Sequence, residues 1–182
     1  MVTGYAALLR GIMPSNPAMR NERLRAVFEE LGLERVASVL ASGNIVFHAP
    51  AQDTAALEER IQDALHERLG IPGGTLVRTG DELRALLDSD PFPGLTHGRG
   101  SYLTVVFLKN RPAAPVVLPE DPDPRTRVVG YDAVARAFLA VIDNSDPGRT
   151  PDFMAWVGRT YGKEVTVRTW LTVQRVAGRL EA

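Results

Sequence analysis

The residues best suited to chemistry lie near the N-terminus, in the turn after the first apolar run. Arg10 ends that run, Gly11 follows it, and Asn16 stands before a proline. An asparagine before a proline is a typical helix start, and the free backbone amides of a helix start favour an anion. Arg20 adds a positive charge, and Asn44 adds a side-chain donor from a later turn. We therefore expect these five residues to bind a small anionic ligand that carries phosphate.

The same residues also have a purely structural interpretation. On this interpretation Arg10 and Arg20 form structural salt bridges, and Asn44 supplies a left-handed turn residue. Two further functions stay open. The site could hydrolyse or transfer phosphate esters or acyl phosphates, or the protein could be an interaction module for protein or nucleic acid. The sequence leaves open whether the chain is an enzyme.

The composition removes several kinds of chemistry. The 182 residues include three histidines and no cysteine, which excludes disulfides, thiolate metal sites and cysteine nucleophiles. Lysine occurs only at Lys109 and Lys163, so Schiff-base chemistry has few candidates. Neither of the glycine-rich nucleotide-binding motifs occurs. We therefore predict no metal site and no cofactor.

Charge and hydropathy disfavour nucleic acid and membrane as partners. The net charge is -1, with -4 over residues 1–91 and +3 over residues 92–182. Tyr5 and Phe47 resemble the stacking aromatics of RNA-binding sheets, but the acidic surroundings favour core positions for both rings. No apolar run approaches the roughly 20 residues of a membrane-spanning helix. We predict a cytoplasmic protein, and the sequence does not determine its oligomeric state.

Two weaker candidates lie in the second half of the chain. His97 belongs to a glycine-flanked loop and could titrate near neutral pH. The segment from Asp143 to Asp146 could offer oxygen ligands to a hard cation, but it lacks the glycine and the distal glutamate of a calcium loop. An exposed loop side chain and a tight turn are the simpler interpretations of these two features.

The elements that must position these residues follow a recognisable order. We predict strands over residues 4–10, 36–41, 44–49 and 75–78, and helices over residues 16–31 and 53–69. The order strand, helix, strand, strand, helix, strand is that of the ferredoxin-like βαββαβ fold, an antiparallel sheet with both helices on one face. We therefore predict a ferredoxin-like lobe over residues 1–80. Acylphosphatases share this fold and hold phosphate with a loop, an arginine and an asparagine, which the predicted site resembles.

Residues 81–182 predict a second, smaller α+β lobe that packs against the first. Thr79 and Glu82 have the spacing of a capping box at the start of a short helix. Strands are predicted over residues 102–108, 127–131, 135–142 and 165–167, with a proline-rich connection over residues 110–124. Thr150 and Pro151 predict the start of another helix. A last helix begins near Trp170, and no internal repeat is visible from sequence identity.

Several short motifs together resemble the domain-of-unknown-function 1697 family. They are Leu-Leu-Arg-Gly-Ile at 8–12, Met-Arg-Asn-Glu at 19–22, Ser-Gly-Asn-Ile-Val-Phe at 42–47, and residues 166–173. The chain departs from the family at 13–16, where relatives often have Asn-Val-Gly-Gly, and at 168–172, where they often have Arg-Asn-Trp-Asn-Thr. The resemblance implies a small, cytosolic, bacterial α+β protein. It implies no established reaction.

Overall fold

The computed structural model describes residues 1–120, 123–146 and 152–182. These residues form an α+β protein with two four-stranded antiparallel sheets and five α-helices. The chain divides into two compact units. The first unit comprises Met1–Leu83 and Arg175–Ala182, and the second comprises Arg84–Gln174.

The first unit contains the six elements that the sequence predicts, in the predicted order. They are β1 (Val2–Leu9), α1 (Asn21–Glu30), β2 (Glu34–Val39), β3 (Asn44–Pro50), α2 (Thr54–Leu69) and β4 (Thr75–Thr79). The strands are antiparallel neighbours in the order β2-β3-β1-β4. This connectivity fits the ferredoxin-like arrangement expected from the sequence. The helix α3 (Gly80–Asp88) follows β4 directly.

Successive side chains along each strand point to opposite faces of this sheet, and both faces are buried. Tyr5, Ala7 and Leu9 of β1 point into the core with Phe28 of α1 and Ile61 of α2. Their side chains are nearly inaccessible to solvent, which is expected where helices cover an antiparallel sheet. The burial of this apolar area supplies most of the favourable free energy that holds α1 and α2 against the sheet.

The other face of the sheet carries Ala6, Leu8 and Arg78, which are also buried. The end of the last helix, α5 (Trp170–Glu181), contributes to its cover. A Cβ added to Gly4 would lie 3.2 Å from Leu180 Cδ2. Leu180 thus lies close to β1, and the last eight residues group with the first unit, whereas the sequence places them in the second lobe.

The second unit has the same connectivity in its own sheet. Its strands are β5 (Tyr102–Leu108), β6 (Thr126–Asp132), β7 (Ala137–Ile142) and β8 (Val165–Thr169), in the order β6-β7-β5-β8. The helix α4 (Asp152–Tyr161) lies between β7 and β8 in sequence, as α2 lies between β3 and β4. Phe138 of β7 packs against Phe153 and Val157 of α4 in its core. The helix start predicted at Thr150 and Pro151 lies outside the described residues.

The two units therefore repeat one pattern that sequence identity does not show. When β5–β8 are matched to β1–β4, the strand order is the same in both sheets, and a helix follows the last strand in each. The main difference is the first connection. In the first unit it contains α1, whereas the described part of the connection from β5 to β6 contains no helix and is rich in proline.

Candidate anion-binding site

The end of β1 lies between two glycine-containing turns. Because β3 and β4 are antiparallel neighbours of β1, each begins beside the point where β1 ends. The amide of Leu9 donates to the Gly43 carbonyl at 2.8 Å, and the amide of Arg10 donates to the Gly74 carbonyl at 3.0 Å. These bonds fix the backbone at Arg10 from both sides.

Two of the neighbouring positions accept only glycine in this arrangement. A Cβ on Gly73 would lie 2.1 Å from the Arg10 carbonyl oxygen, well inside the contact distance. Gly43 has a φ of +86°, and a Cβ there would lie 2.6 Å from Ile12 Cγ1. The chain thus approaches itself closely at the base of the turn after β1, which only glycine permits.

The Arg10 side chain is half-buried and crosses Gly74. A Cβ on Gly74 would lie 3.7 Å from Arg10 Cδ, 3.8 Å from its Nη1 and 3.4 Å from Gln62 Oε1. Within the part of the chain that the structure describes, no carboxylate forms an ion pair with Arg10 and no acceptor takes a hydrogen bond from its guanidinium. The salt bridge of the structural interpretation is therefore not formed by the described residues.

The helix predicted from Asn16 onward is divided in two. Asn16 caps a 3-10 helix of three residues, Pro17–Met19, through a 3.0 Å bond from the Ala18 amide to its Oδ1. The α-helix itself begins at Asn21, with the exposed Arg20 as its N-cap residue and no side-chain cap. The single helix expected over residues 16–31 is thus wrong in detail, because the 3-10 helix that Asn16 caps ends at Met19, before α1 begins at Asn21.

Asn44 lies at the start of β3 and is fully buried. Its side-chain nitrogen donates to the Val39 carbonyl and to Ser42 Oγ, both at 3.0 Å. These two bonds close the turn between β2 and β3. Asn44 thus stabilises this turn, but it is not the left-handed residue of the structural interpretation, because the positive φ values of the turn belong to Leu40 and Gly43. Its contact with a ligand stays a prediction.

Gly11 stands at the opening of the turn, with a φ of +70° and no atom within 4 Å of an added Cβ. The structure thus brings Arg10 and Gly11 together with Gly73, Gly74 and Gln62. The last three were missed by the sequence interpretation. The double glycine before the last strand of a βαββαβ unit is the signal that could have pointed to them.

The aromatic candidates for nucleic-acid stacking lie in the core. Tyr5 and Phe47 are 1% and 0% exposed, and their rings stack on each other with centroids 5.5 Å apart. A buried ring cannot stack on a base, so the core interpretation holds for both. His97, the suggested titrating group, is half-buried, and its Nδ1 accepts a 3.2 Å bond from the Leu103 amide.

The segment from Asp143 to Asp146 forms a tight turn. Asp143 Oδ1 accepts a bond from the Ser145 amide at 2.9 Å and another from its hydroxyl. The Ser145 hydroxyl and amide lower the pKa of Asp143 below its ordinary value. Among residues 1–120, 123–146 and 152–182, no three histidine, aspartate or glutamate side chains are grouped to hold a metal ion. None of the helices described is both long and apolar enough to cross a membrane.

The fold defines the class of the protein, an α+β protein with two four-stranded antiparallel sheets of the same strand order. In its first unit, Arg10 follows the central strand β1 and has no ion-pair partner among the described residues. The chain belongs to the family described as "Protein of unknown function (DUF1697)", whose model matches residues 2–129. This membership confirms the resemblance seen in the sequence. Comparison with curated proteins gave no match.

A solved structure shares the fold over the whole length. It is that of the conserved bacterial protein SP0830 from Streptococcus pneumoniae, which is 16% identical in sequence. The TM-score is 0.73, and the similarity covers 100% of both chains. At this level of identity the likeness concerns the fold alone.

Proposed function

We propose that this protein binds a small anion that carries phosphate at the turn after β1, with Arg10 as the main cationic contact. The proposal rests on one observation: Arg10 is a half-buried residue whose guanidinium has no acceptor among the described residues. Partial burial of a charge without a partner costs free energy, and an anionic ligand would recover it. Gly11 leaves the turn open. The proposed site also includes, as a second positive charge, the exposed Arg20 that precedes α1.

The proposed role is binding rather than catalysis. The ferredoxin-like site of acylphosphatases uses an asparagine, but the Asn44 amide here donates to two oxygens of its own turn. The cytoplasmic location expected from the sequence belongs to the same proposal.

Isothermal titration of the full chain tests the proposal with inorganic phosphate, acetyl phosphate and AMP. We expect saturable binding of at least one of them, weakened about tenfold or more in Arg10→Gln, since a hydrogen bond to a charged group contributes about 1.5–3 kcal/mol. Arg10 makes no side-chain bond within the described residues, so the variant should fold, which a thermal melt would verify.

Arg179→Gln is the matched control. Arg179 is exposed on α5 in the same unit, and its replacement changes the net charge equally. It should leave the affinity unchanged. Absence of binding with all three anions, or equal weakening by both substitutions, would refute the proposal. Release of phosphate from acetyl phosphate in the same samples, lost in Arg10→Gln, would instead identify an enzyme.

A further inference from the structure

The end of β5 in the second unit is built like the end of β1 in the first. The Leu108 amide donates to the Arg136 carbonyl at 2.8 Å, and the Lys109 amide donates to the Glu164 carbonyl at 3.1 Å. The corresponding bonds in the first unit have nearly the same lengths and place Arg10 where the second unit has Lys109. A basic residue thus follows the central strand in both units, held by the same two backbone bonds.

A cavity of about 320 Å³ adjoins Lys109. It is lined by both lysines of the chain, Lys109 and Lys163, and by Arg111. Glu164 is the one acidic side chain in its lining among the described residues, and its Oε1 lies 3.7 Å from Lys109 Nζ. Three positive charges against one negative charge leave the lining of this cavity suited to an anion. Its volume lies within the range of small-molecule sites.

Arg136 adds a buried positive charge beside Lys109. It precedes β7 as Gly43 precedes β3, and its φ is +55°, in the left-handed region that disfavours side chains. The side chain is only 9% exposed, and its Nη1 donates to the Lys109 carbonyl at 3.0 Å. Its Nε has no hydrogen-bond partner among the described residues. Both the backbone conformation and the burial are costly, and such positions cluster at functional sites.

An apolar cavity continues from the basic one. Its volume is about 550 Å³, and it shares Pro112, Ala113, Thr160 and Tyr161 with the first. Its lining is mainly the proline-rich segment 112–119 together with Trp156. The described connection after β5 contains no counterpart of α1.

Tyr161 stands where the two cavities meet. Its ring lies 5.8 Å from that of Trp156 between centroids, and its hydroxyl has no hydrogen-bond partner among the described residues. Burial raises the pKa of Tyr161 above its ordinary value, so the hydroxyl remains a donor at neutral pH. It can donate to an anionic group while its ring contacts an apolar one.

We propose that the second unit contains its own ligand site, in which Lys109, Arg111 and Lys163 bind the anionic group of a small molecule. The apolar body of that molecule lies against Trp156 and the proline-rich segment. The anionic group is a phosphate or a carboxylate. This site lies in the second unit and is independent of the one proposed at Arg10.

Calorimetric titration of the full chain with phenyl phosphate and with benzoate tests this site and distinguishes the two anions. We expect one molecule of at least one probe to bind. Inorganic phosphate has the anionic group but no apolar body, and benzyl alcohol has the aromatic ring but no anionic group. Each should bind this site at least about tenfold more weakly. Lys163→Gln and Arg111→Gln should each weaken the better probe about fivefold or more, because each removes a charged donor.

Two control variants distinguish binding at this site from a general effect of charge and from binding at Arg10. Arg127→Gln removes one exposed positive charge from β6 of the same unit, outside both cavity linings, and should leave the affinity unchanged. Arg10→Gln should also leave it unchanged. The proposal is overturned if neither probe binds saturably, if Lys163→Gln and Arg111→Gln have no effect, or if Arg10→Gln alone abolishes binding.

Discussion

At the scale of single residues, glycines decide the shape of the turn after β1. Gly73 lies against the Arg10 carbonyl, and Gly74 lies beneath the Arg10 side chain. A Cβ at Gly73 would displace the backbone of Arg10, whereas a Cβ at Gly74 would make ordinary contact with the Arg10 side chain. These two glycines thus contribute to the site because, lacking side chains, they leave room for the backbone and the side chain of Arg10.

Gly73→Ala should destabilise the protein by about 1–3 kcal/mol, the usual cost of forcing an extra group into a packed position. The added Cβ would meet the Arg10 carbonyl oxygen at 2.1 Å, and a backbone atom cannot move aside as a flexible side chain can. Urea unfolding followed by circular dichroism measures the change. Gly178→Ala in α5 is the control: nothing lies within 4 Å of its added Cβ, and it should stabilise the helix by about 0.5–1 kcal/mol. Equal stability of Gly73→Ala and the natural chain would contradict the close approach.

At the scale of elements, hydrogen bonds between residues close in sequence cap the helices at two junctions, from β4 to α3 and from β8 to α5. The Glu82 amide donates to Thr79 Oγ1 at 3.1 Å, and the Thr79 amide donates to Glu82 Oε2 at 2.8 Å. This is the reciprocal capping box that the spacing of the two residues predicts. In the second unit the Thr172 amide donates to Thr169 Oγ1 at 3.2 Å. Both sets of contacts turn a strand directly into a helix.

Thr79→Ala should cost about 0.5–2 kcal/mol, because the Glu82 amide loses its acceptor at the start of α3. Chemical denaturation with the natural chain as reference measures this cost. Glu82→Gln is the matched control, since glutamine keeps the oxygen that accepts from the Thr79 amide. A loss of stability in Glu82→Gln as large as in Thr79→Ala would show that charge, and not the capping bonds, governs this junction.

At the scale of the whole molecule, each unit has its own sheet and its own core. The core of the second unit is centred on Phe138, whose ring has neighbours at 4.9 Å in Tyr131 and 5.4 Å in Tyr161, measured between centroids. Trp156 and Phe153 of α4 also contact it. Two of these rings, Trp156 and Tyr161, line the apolar cavity described above. Core packing therefore positions the proposed second site.

Phe138→Ala should lower the free energy of unfolding by about 3–5 kcal/mol, through lost burial and the cavity that remains. Val117→Ala, at a position that is 76% exposed on the proline-rich segment, should change it by less than about 0.5 kcal/mol. Guanidinium unfolding monitored by tryptophan fluorescence measures both. Similar effects of the two substitutions would contradict the central place of Phe138 in this core.

The sequence by itself determined most of the elements, since hydrophobic periodicity and capping are local properties of the chain; the helix predicted over residues 16–31, which divides in two, is an exception. The apolar run over residues 102–108 predicts β5, and the helix predicted over residues 53–69 is α2, which Asp53 and Gly70 cap. The family resemblance likewise followed from short motifs. The α+β class required only the order of these elements.

Tertiary structure decided what those elements bring together. Antiparallel pairing places Gly43 and Gly74 on opposite sides of Arg10, and it places Arg136 and Glu164 on opposite sides of Lys109. These residues are far apart in the chain, so no local pattern relates them. For the same reason the matching connectivity of the two units was hidden from sequence identity, and the burial of Asn44 could not be read from its place in a turn. Strand register, which depends on contacts between distant segments, determines which candidate residues meet.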